Sequence, residues 1–491
     1  MSGARNIIIL GGGPAGLATG HEVSVNGVKV TVLERNDYVG GLCRTIEEDG
    51  YRFDLGGHRW FTKNEDLNDW FKRLMIDELV MVNRISRIYY DRKYFYYPIQ
   101  AGDILKKTGL FTIMHAGFAF VWAMIRHSIS EKKIVTMKEA YTAQFGSKLY
   151  DMFFRRYSEK VWGRPCEELS ADWVSQRSKG LSIWTVVQES LLGGKNDKKL
   201  STLIDEFMYP RYGYMRVPER MAEDIRSHGG EIALGATVTG IDYNGQNDFT
   251  VHYKQNDVNH SVNGDAIVSS IPLGVLARII TPKCDESVKK AAQGLEFRDL
   301  ITVNIMLKCK QVSTDTWLYI QDSDILFGRL HEPKNWSPDM VPDDNHTSLV
   351  LECFCTYGDS IWNLSDEEIR QRCIRDLVDK LGFVRDEDYC GAQVIRTREA
   401  YPVYDLEYAD KIATVRNFLN SFEGLHIAGR GGTFRYNNSD HSIEMGLLLG
   451  QKLLGHDVDY MEVNTEEDYQ EIKTSDEPQR DRYKYRKVAV K

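Results

Sequence analysis

The chain opens on an apolar run, Ile7-Ile8-Ile9-Leu10, too short for a helix and free of polar residues, which predicts a strand buried on both faces. A helical stretch from Leu17 and a second apolar run, Val28-Lys29-Val30-Thr31-Val32-Leu33, follow. Strand, helix, strand is the unit of a parallel sheet, so the fold class is α/β. From Arg84 to Tyr96 the pattern alternates about a polar Asp91-Arg92 turn and predicts a β-hairpin in a different sheet. Gly102 to about Ser201 reads as helical. The chain then returns to the first domain, with a helix from Val217, a strand over Glu231 to Leu234 and a parallel-type strand from Ala266 to Pro272. Between 300 and 400, strands over Ile301 to Leu307 and Ser348 to Cys355 and a helix from Asp366 to Leu381 predict an antiparallel sheet.

The organisation expected is a discontinuous Rossmann-type domain from 1–78, 205–285 and 395–458, and an antiparallel-sheet substrate domain from 79–104 and 286–394. A helical lobe takes 105–204, and a charged, mobile or surface-docked extension takes 459–491. With 491 residues the chain is too long for one core. Its 62 basic and 71 acidic residues give a net charge of −9, and no basic stripe points to nucleic acid.

Eight scattered cysteines without a zinc-type pairing predict buried, inert thiols and no metal, and the N-terminus enters a strand with no signal peptide before it. The location expected is cytoplasmic. One segment complicates this: Leu110 to Ile125 is apolar except for Thr112 and His115 and is flanked by Lys106, Lys107 and Arg126. At 16 residues it falls short of the roughly 20 that cross a bilayer, so the readings are a buried helix, an oligomer contact, or a peripheral contact with the inner face of the membrane.

Chemistry enters at the first turn. Gly11, Gly13 and Gly16, with Pro14 and Ala15 between them, supply a tight turn, close approach to a pyrophosphate and close helix packing, and the helix N-terminus faces the phosphates. The second strand ends in Glu34-Arg35, where an acid accepts hydrogen bonds from an adenosine ribose. NAD and FAD share this fingerprint, and another glycine-rich αβ turn is the plain alternative. Further along come Gly40-Gly41-Leu42-Cys43-Arg44 and Phe53-Asp54-Leu55-Gly56-Gly57-His58, then, near the end, Ala428-Gly429-Arg430-Gly431-Gly432. A double glycine followed by a cation suits a pyrophosphate, and a second double glycine allows backbone to approach a flat ring.

Together these segments resemble the FAD-binding amine oxidase and protoporphyrinogen oxidase superfamily, and within it the flavin-dependent UDP-galactopyranose mutases of eukaryotic type. The resemblance implies FAD held by Gly11, Gly13, Pro14, Ala15, Gly16, Glu34, Arg35, Gly41, Leu42, Arg44, Gly56, Gly57, His58, Val238, Gly429, Arg430 and Met445, with Met445 at a helix start near the flavin carbonyl. His58 would face the flavin. Tyr97 and Gln100 are similar to a nucleotide-binding segment; Lys160-Val161-Trp162-Gly163 and Trp173 to Arg177 match a helical stretch ending in a diphosphate-binding arginine. Trp317 and Tyr319, then Arg329, resemble the strand pair that supplies sugar contacts and a second arginine; Tyr401 and Tyr436 stand where that family places tyrosines on the diphosphate.

The implied function is a nucleotide-sugar mutase, exchanging pyranose and furanose through the reduced flavin N5, with His58, Arg177 and Arg329 in catalytic roles and NAD(P)H as a candidate reductant. The chain departs from the mutase pattern at Arg59-Trp60-Phe61 and Ala101-Gly102, near the nucleotide and sugar sites. The alternative is an FAD-dependent oxidase or dehydrogenase of the same superfamily. A lysine of the kind amine oxidases hold is absent from Leu300 to Asn304, which disfavours amine oxidation. A flavoprotein with purely structural FAD is the third reading.

Overall fold

The computed structural model describes residues 6–97, 101–129, 133–178 and 206–464. A five-stranded parallel sheet runs in the order Leu425–Ile427, Ala266–Ser269, Asn6–Leu10, Lys29–Leu33, Glu231–Ala233. Ile7, Ile8, Ile9 and Leu10 are wholly buried, as an unbroken apolar run requires. Helix Pro14–Ser24 starts directly after the first strand, with proline in its first turn. Helix Ser439–Leu453 lies along it so closely that a Cβ on Gly446 would stand 2.3 Å from the Ala15 carbonyl oxygen.

The second large layer is a seven-stranded sheet ordered Tyr389–Pro402, Phe297–Leu307, Thr347–Cys355, Arg329–His331, Trp317–Ile320, Ser86–Tyr90, Lys93–Tyr96. It is antiparallel except where Trp317–Ile320 pairs parallel with Ser86–Tyr90, so the sheet is mixed rather than purely antiparallel. The hairpin turns at Asp91 and Arg92, whose φ values of 50° and 58° are those of a two-residue primed turn. One face of the sheet packs on the helical residues Phe145, Phe153 and Trp162; the other carries Ile301, Val303 and Leu351 against helix Asp366–Arg375. A smaller four-stranded sheet contains Thr237–Gly245, Asp248–Gln255 and Val258–Gly264.

Two sequence expectations change, those for the apolar segment and for the thiols. The apolar segment belongs to a longer helix, Leu110–Ile129, of 20 residues, and most of its large side chains are exposed, so it is not a buried core helix. It passes the length and hydropathy test for a membrane span over Leu110–His127, with 22% of that window buried. The thiols are not uniformly buried: Cys390 is exposed and Cys284 and Cys309 are partly so. The extension begins docked, since Tyr460 and Val463 are buried and Arg435 Nη1 donates to the Met461 carbonyl at 2.6 Å. Residues 465–491 lie outside the described residues. Among the described residues no cluster of His, Cys, Asp and Glu could hold a metal ion.

Candidate active site

Three glycine loops and one edge of the large sheet converge. Gly13 is the N-cap of helix Pro14–Ser24 and has no side chain with which to cap it, and among the described residues a Cβ on Gly13 would meet nothing within 4 Å, so the helix N-terminus is left open to a ligand. Gly40 N–H donates to the Gly12 carbonyl at 2.7 Å, which brings Gly41 to the rim of the same turn; a Cβ on Gly41 would lie 3.5 Å from Gly13 Cα. Leu42 follows in the short 3-10 turn, and the Arg44 guanidinium lies 4.0 Å over the Tyr38 ring. This is a cradle that side chains would fill, with a helix dipole aimed into it, and it fits a pyrophosphate.

Glu34 is buried at the end of the second strand. One carboxylate oxygen accepts from Gly12 N–H at 2.7 Å, and the other from Asn36 N–H at 2.9 Å and Asn36 Nδ2 at 2.7 Å. The carboxylate is thus fixed at the cradle's edge, as a ribose acceptor must be. Val238 lies near it in Thr237–Gly245, two residues beyond Ala236, whose N–H donates to the Glu34 carbonyl at 2.8 Å. Arg35 is exposed.

The segment Gly429–Thr433 closes the other side. Gly429 has φ of 75°, and a Cβ there would stand 2.8 Å from the Ala15 Cβ, so glycine is required twice over. Met445 does not begin a helix as expected. Asn438 caps Ser439–Leu453 in a box completed by His441, placing Met445 seven residues in, where its sulfur accepts from Gly429 N–H at 3.2 Å. Gly57 differs too: its missing side chain makes room for the Trp317 indole, whose Cζ2 would be 2.2 Å from a Cβ, rather than for a flat cofactor ring alone.

A cavity opens between these loops and the sheet, lined by His58, Arg59, Arg84, Trp317, Tyr319, Arg329, Tyr401, Arg430, Tyr436, Asp440 and His441 among others. Arg329 Nε donates to Glu352 at 3.1 Å, Nη2 contacts the same carboxylate oxygen, and Nη2 donates to the Tyr401 hydroxyl at 2.8 Å. Glu352 is fully buried, so the pair is neutral as a unit and Arg329 is held in one geometry. Tyr401 and Tyr436 stack at 5.7 Å, with the Arg430 guanidinium 4.9 Å from the Tyr436 ring. Arg430 also donates to the carbonyls of Asn437 at 2.8 Å and Ala400 at 2.9 Å, so it braces this loop while carrying charge into the cavity. Tyr97 packs on Tyr319 at 5.6 Å. Gln100 lies outside the described residues, as does the side chain of Arg177, whose backbone closes helix Asp172–Ser178.

Sequence reasoning missed Arg59, Arg84 and the Asn438 to His441 end as lining groups, and Glu352 as the buried partner of Arg329. Glu352 had a readable signal, a lone acid in the otherwise apolar Thr347–Cys355 strand.

Behind the cavity, Asp54 accepts from Tyr209 hydroxyl at 2.7 Å, Thr45 hydroxyl at 2.6 Å and Tyr214 N–H at 3.1 Å. Tyr214 in turn packs its ring 5.5 Å from His58. Burial pushes the Asp54 carboxyl up to about 6 against those three donors. Burial, with Arg430 nearby, holds His58 down to about 3; His331 falls to about 3 and His426 to about 4 by burial chiefly.

Each histidine's folded value is below its unfolded 6.5, so its contribution is whole above pH 6.5 and is lost as pH falls toward those values, at about 1.4 kcal/mol per pH unit per site. Asp54, raised from 3.8, runs the other way: its contribution is whole below about 3.8 and lost as pH rises through about 6. Three histidines outweigh one aspartate, so the unfolding midpoint falls between pH 6.5 and 5, and less steeply in a His331→Phe variant. Calorimetry showing a flat midpoint over that range would refute it.

The model of the flavin containing amine oxidoreductase family matches residues 14–434. The chain belongs to this family. Among family-like proteins of known structure, a reduced UDP-galactopyranose mutase superposes with a TM-score of 0.78 at 23% identity, covering 92% of this chain and 94% of that one. A putrescine oxidase bound to putrescine gives 0.62 at 17%, covering 92% and 99%. At these identities the likeness is one of fold.

Among curated relatives, the chloroplastic and chromoplastic 15-cis-phytoene desaturase of Arabidopsis thaliana is 22% identical over 405 residues, 70% of this chain and 69% of that protein. The inactive all-trans-retinol 13,14-reductase of Danio rerio is 22% identical over 486 residues, 89% and 78%. The phytoene desaturase of Fusarium fujikuroi reaches 44%, but over only 52 residues, 11% of this chain and 9% of that protein. These relatives carry oxidoreductase names, one of them marked inactive, and the family to which the chain belongs is flavin-containing. The glycine cradle and fixed Glu34 fit FAD.

Proposed function

We propose that this flavoenzyme carries out a net oxidation or dehydrogenation of a polar small molecule bearing a phosphate or diphosphate. The reaction class is supported by family membership and by the oxidoreductase relatives, which outweigh the mutase resemblance because the mutase likeness in structure reports fold alone. The substrate class is carried by one observation: four arginines and one aspartate line the cavity, beside two stacked phenols. A long apolar polyene would strip water from these polar and charged groups and offer them no hydrogen bond, whereas phosphate oxygens accept from guanidinium and phenol donors.

FAD, when bound, supplies two-electron chemistry at its ring. The protein's share is positioning. Arg329, locked by Glu352, and the Tyr401 hydroxyl fix the anion's oxygens; Trp317 gives the rest of the substrate an apolar wall; His58 stays neutral and acts as a hydrogen-bonding group rather than a charge.

A nucleotide-sugar mutase is the second reading, favoured by the grouping of Arg329, Tyr401, Arg430 and Tyr436, the donors a departing diphosphate needs. Purified protein would be offered UDP, GDP and dTDP sugars with its flavin oxidised or dithionite-reduced, following sugar isomers and acceptor consumption together. Substrate-dependent bleaching with oxygen or quinone consumption and no isomer is expected. Isomer formed only with reduced flavin, without acceptor loss, would establish the mutase instead. Failure of every phosphate-bearing ligand to perturb the flavin spectrum would sink the anionic-substrate reading.

A further inference from the structure

Helix Leu110–Ile129 meets the protein through a stripe of small residues. Ala116, Ala119 and Ala123 are buried, and the backbone of Gly146 in the next helix comes so close that a Cβ there would stand 2.8 Å from Phe120 N. Everything large points away: Phe111 is 78% exposed, Phe118 72%, Trp122 60% and Ile129 78%, with Met114 and Ile125 between them. At 100° per residue these side chains and their apolar neighbours sweep an uncharged outward arc of about 160°, along a helix about 30 Å long. Water is a poor solvent for such a face, and its extent is beyond what a monomer leaves bare without a partner.

We propose that this face docks on an anionic lipid surface, with the helix lying in the plane of the membrane. Two features select lipid over a second copy of the chain. The arc is wider than the narrow seam that pairs two helices, while lipid contacts a face of any width. From residue 104 to 130 the chain carries no acidic residue, yet Lys106, Arg126 and His127 flank the apolar stretch and are exposed. Cations at both ends of an apolar face complement anionic headgroups, and Trp122 is the residue type that settles at the boundary. Crossing the bilayer is disfavoured because the alanine stripe ties the helix lengthwise to helix Met137–Tyr150, whose Lys138, Glu139 and Lys148 cannot follow it into hydrocarbon.

On its inner side the helix is anchored in the protein core: Ala116 belongs to the same hydrophobic cluster as Tyr401 and Trp162. The inference does not depend on the reaction proposed above.

The test is flotation of the full-length, flavin-loaded protein with vesicles of phosphatidylcholine alone or of phosphatidylcholine and phosphatidylglycerol in equal parts. It floats with the mixed vesicles and less with the neutral ones, and added salt weakens the association. The triple variant Phe111→Ser/Phe118→Ser/Trp122→Ser loses more than about tenfold in partitioning while keeping its flavin, since three large apolar side chains leave the lipid. Should that variant not fold, brominated acyl chains quench the wild type more than Trp122→Phe. No flotation with mixed vesicles overturns the proposal, and so does flotation or quenching that the variants leave unchanged. A concentration-dependent dimer abolished by the triple variant, with no flotation, overturns it in favour of a second copy.

Discussion

Replacing Arg329 with methionine lowers the unfolding free energy by about 3 to 5 kcal/mol and reduces kcat/KM by about 10²- to 10³-fold. The first effect comes from Glu352. It is fully buried in the interior of the large sheet, its Oε2 takes both bonds from Arg329, and its Oε1 has no partner among the described residues. Methionine fills most of the arginine's volume, so the loss is electrostatic: a carboxylate left in the interior without its cation must either bear its desolvation or take up a proton. The second effect comes from the cavity, where Arg329 also holds the Tyr401 hydroxyl at 2.8 Å. The double variant Arg329→Met/Glu352→Gln separates the two, because removing the orphaned charge restores much of the stability and none of the activity. Thermal unfolding and steady-state rates on the substrate found by the sugar panel measure both. A single Arg329→Met variant with an unchanged midpoint would show that Glu352 is not paying the cost of burial.

The same pair marks the limit of what the chain discloses as a string. Periodicity located the strands because a run such as Ile7 to Leu10 has only one way to hide four apolar side chains. The hairpin about Asp91-Arg92 and the strand ending in Glu34 were legible for similar local reasons. The pairing of Glu352 with Arg329 was not, because it depends on the register of two strands 23 residues apart, even though a lone acid in its strand was there to be seen. Trp317 filling the space beside Gly57 joins residues 260 apart and leaves no local trace. Met445 was misplaced because the cap box uses Asn438 and His441 where the usual signature has an acid or glutamine. The exposure of Leu110–Ile129 was equally hidden: an apolar run looks the same whether protein or solvent covers it, and only the alanine stripe hints at which side faces inward.

Gly16→Ala yields protein that retains less than about a tenth of its flavin, a loss equivalent to at least about 1.4 kcal/mol of binding and in line with the 1 to 3 kcal/mol of an overpacked contact. The added Cβ would stand 2.2 Å from the Gly11 carbonyl oxygen and 3.0 Å from Ile9 Cγ2. The oxygen is backbone and cannot rotate aside, so the helix start must move away from the strand end by something near an ångström. That shift tilts the N–H groups of Gly13 and Ala15 off the phosphates, and the cradle depends on their convergence. Gly20→Ala, one turn further along the same helix, is the control: its nearest neighbours are side-chain atoms rather than backbone, the ends of Ile225 and Ile9 at 3.0 Å, which can rotate, and Val30 Cγ1 at an ordinary 3.6 Å. It therefore keeps its flavin near stoichiometric. The flavin absorbance per protein of the two purified variants decides the matter, and equal occupancy would show that strand and helix separate without cost to the cradle.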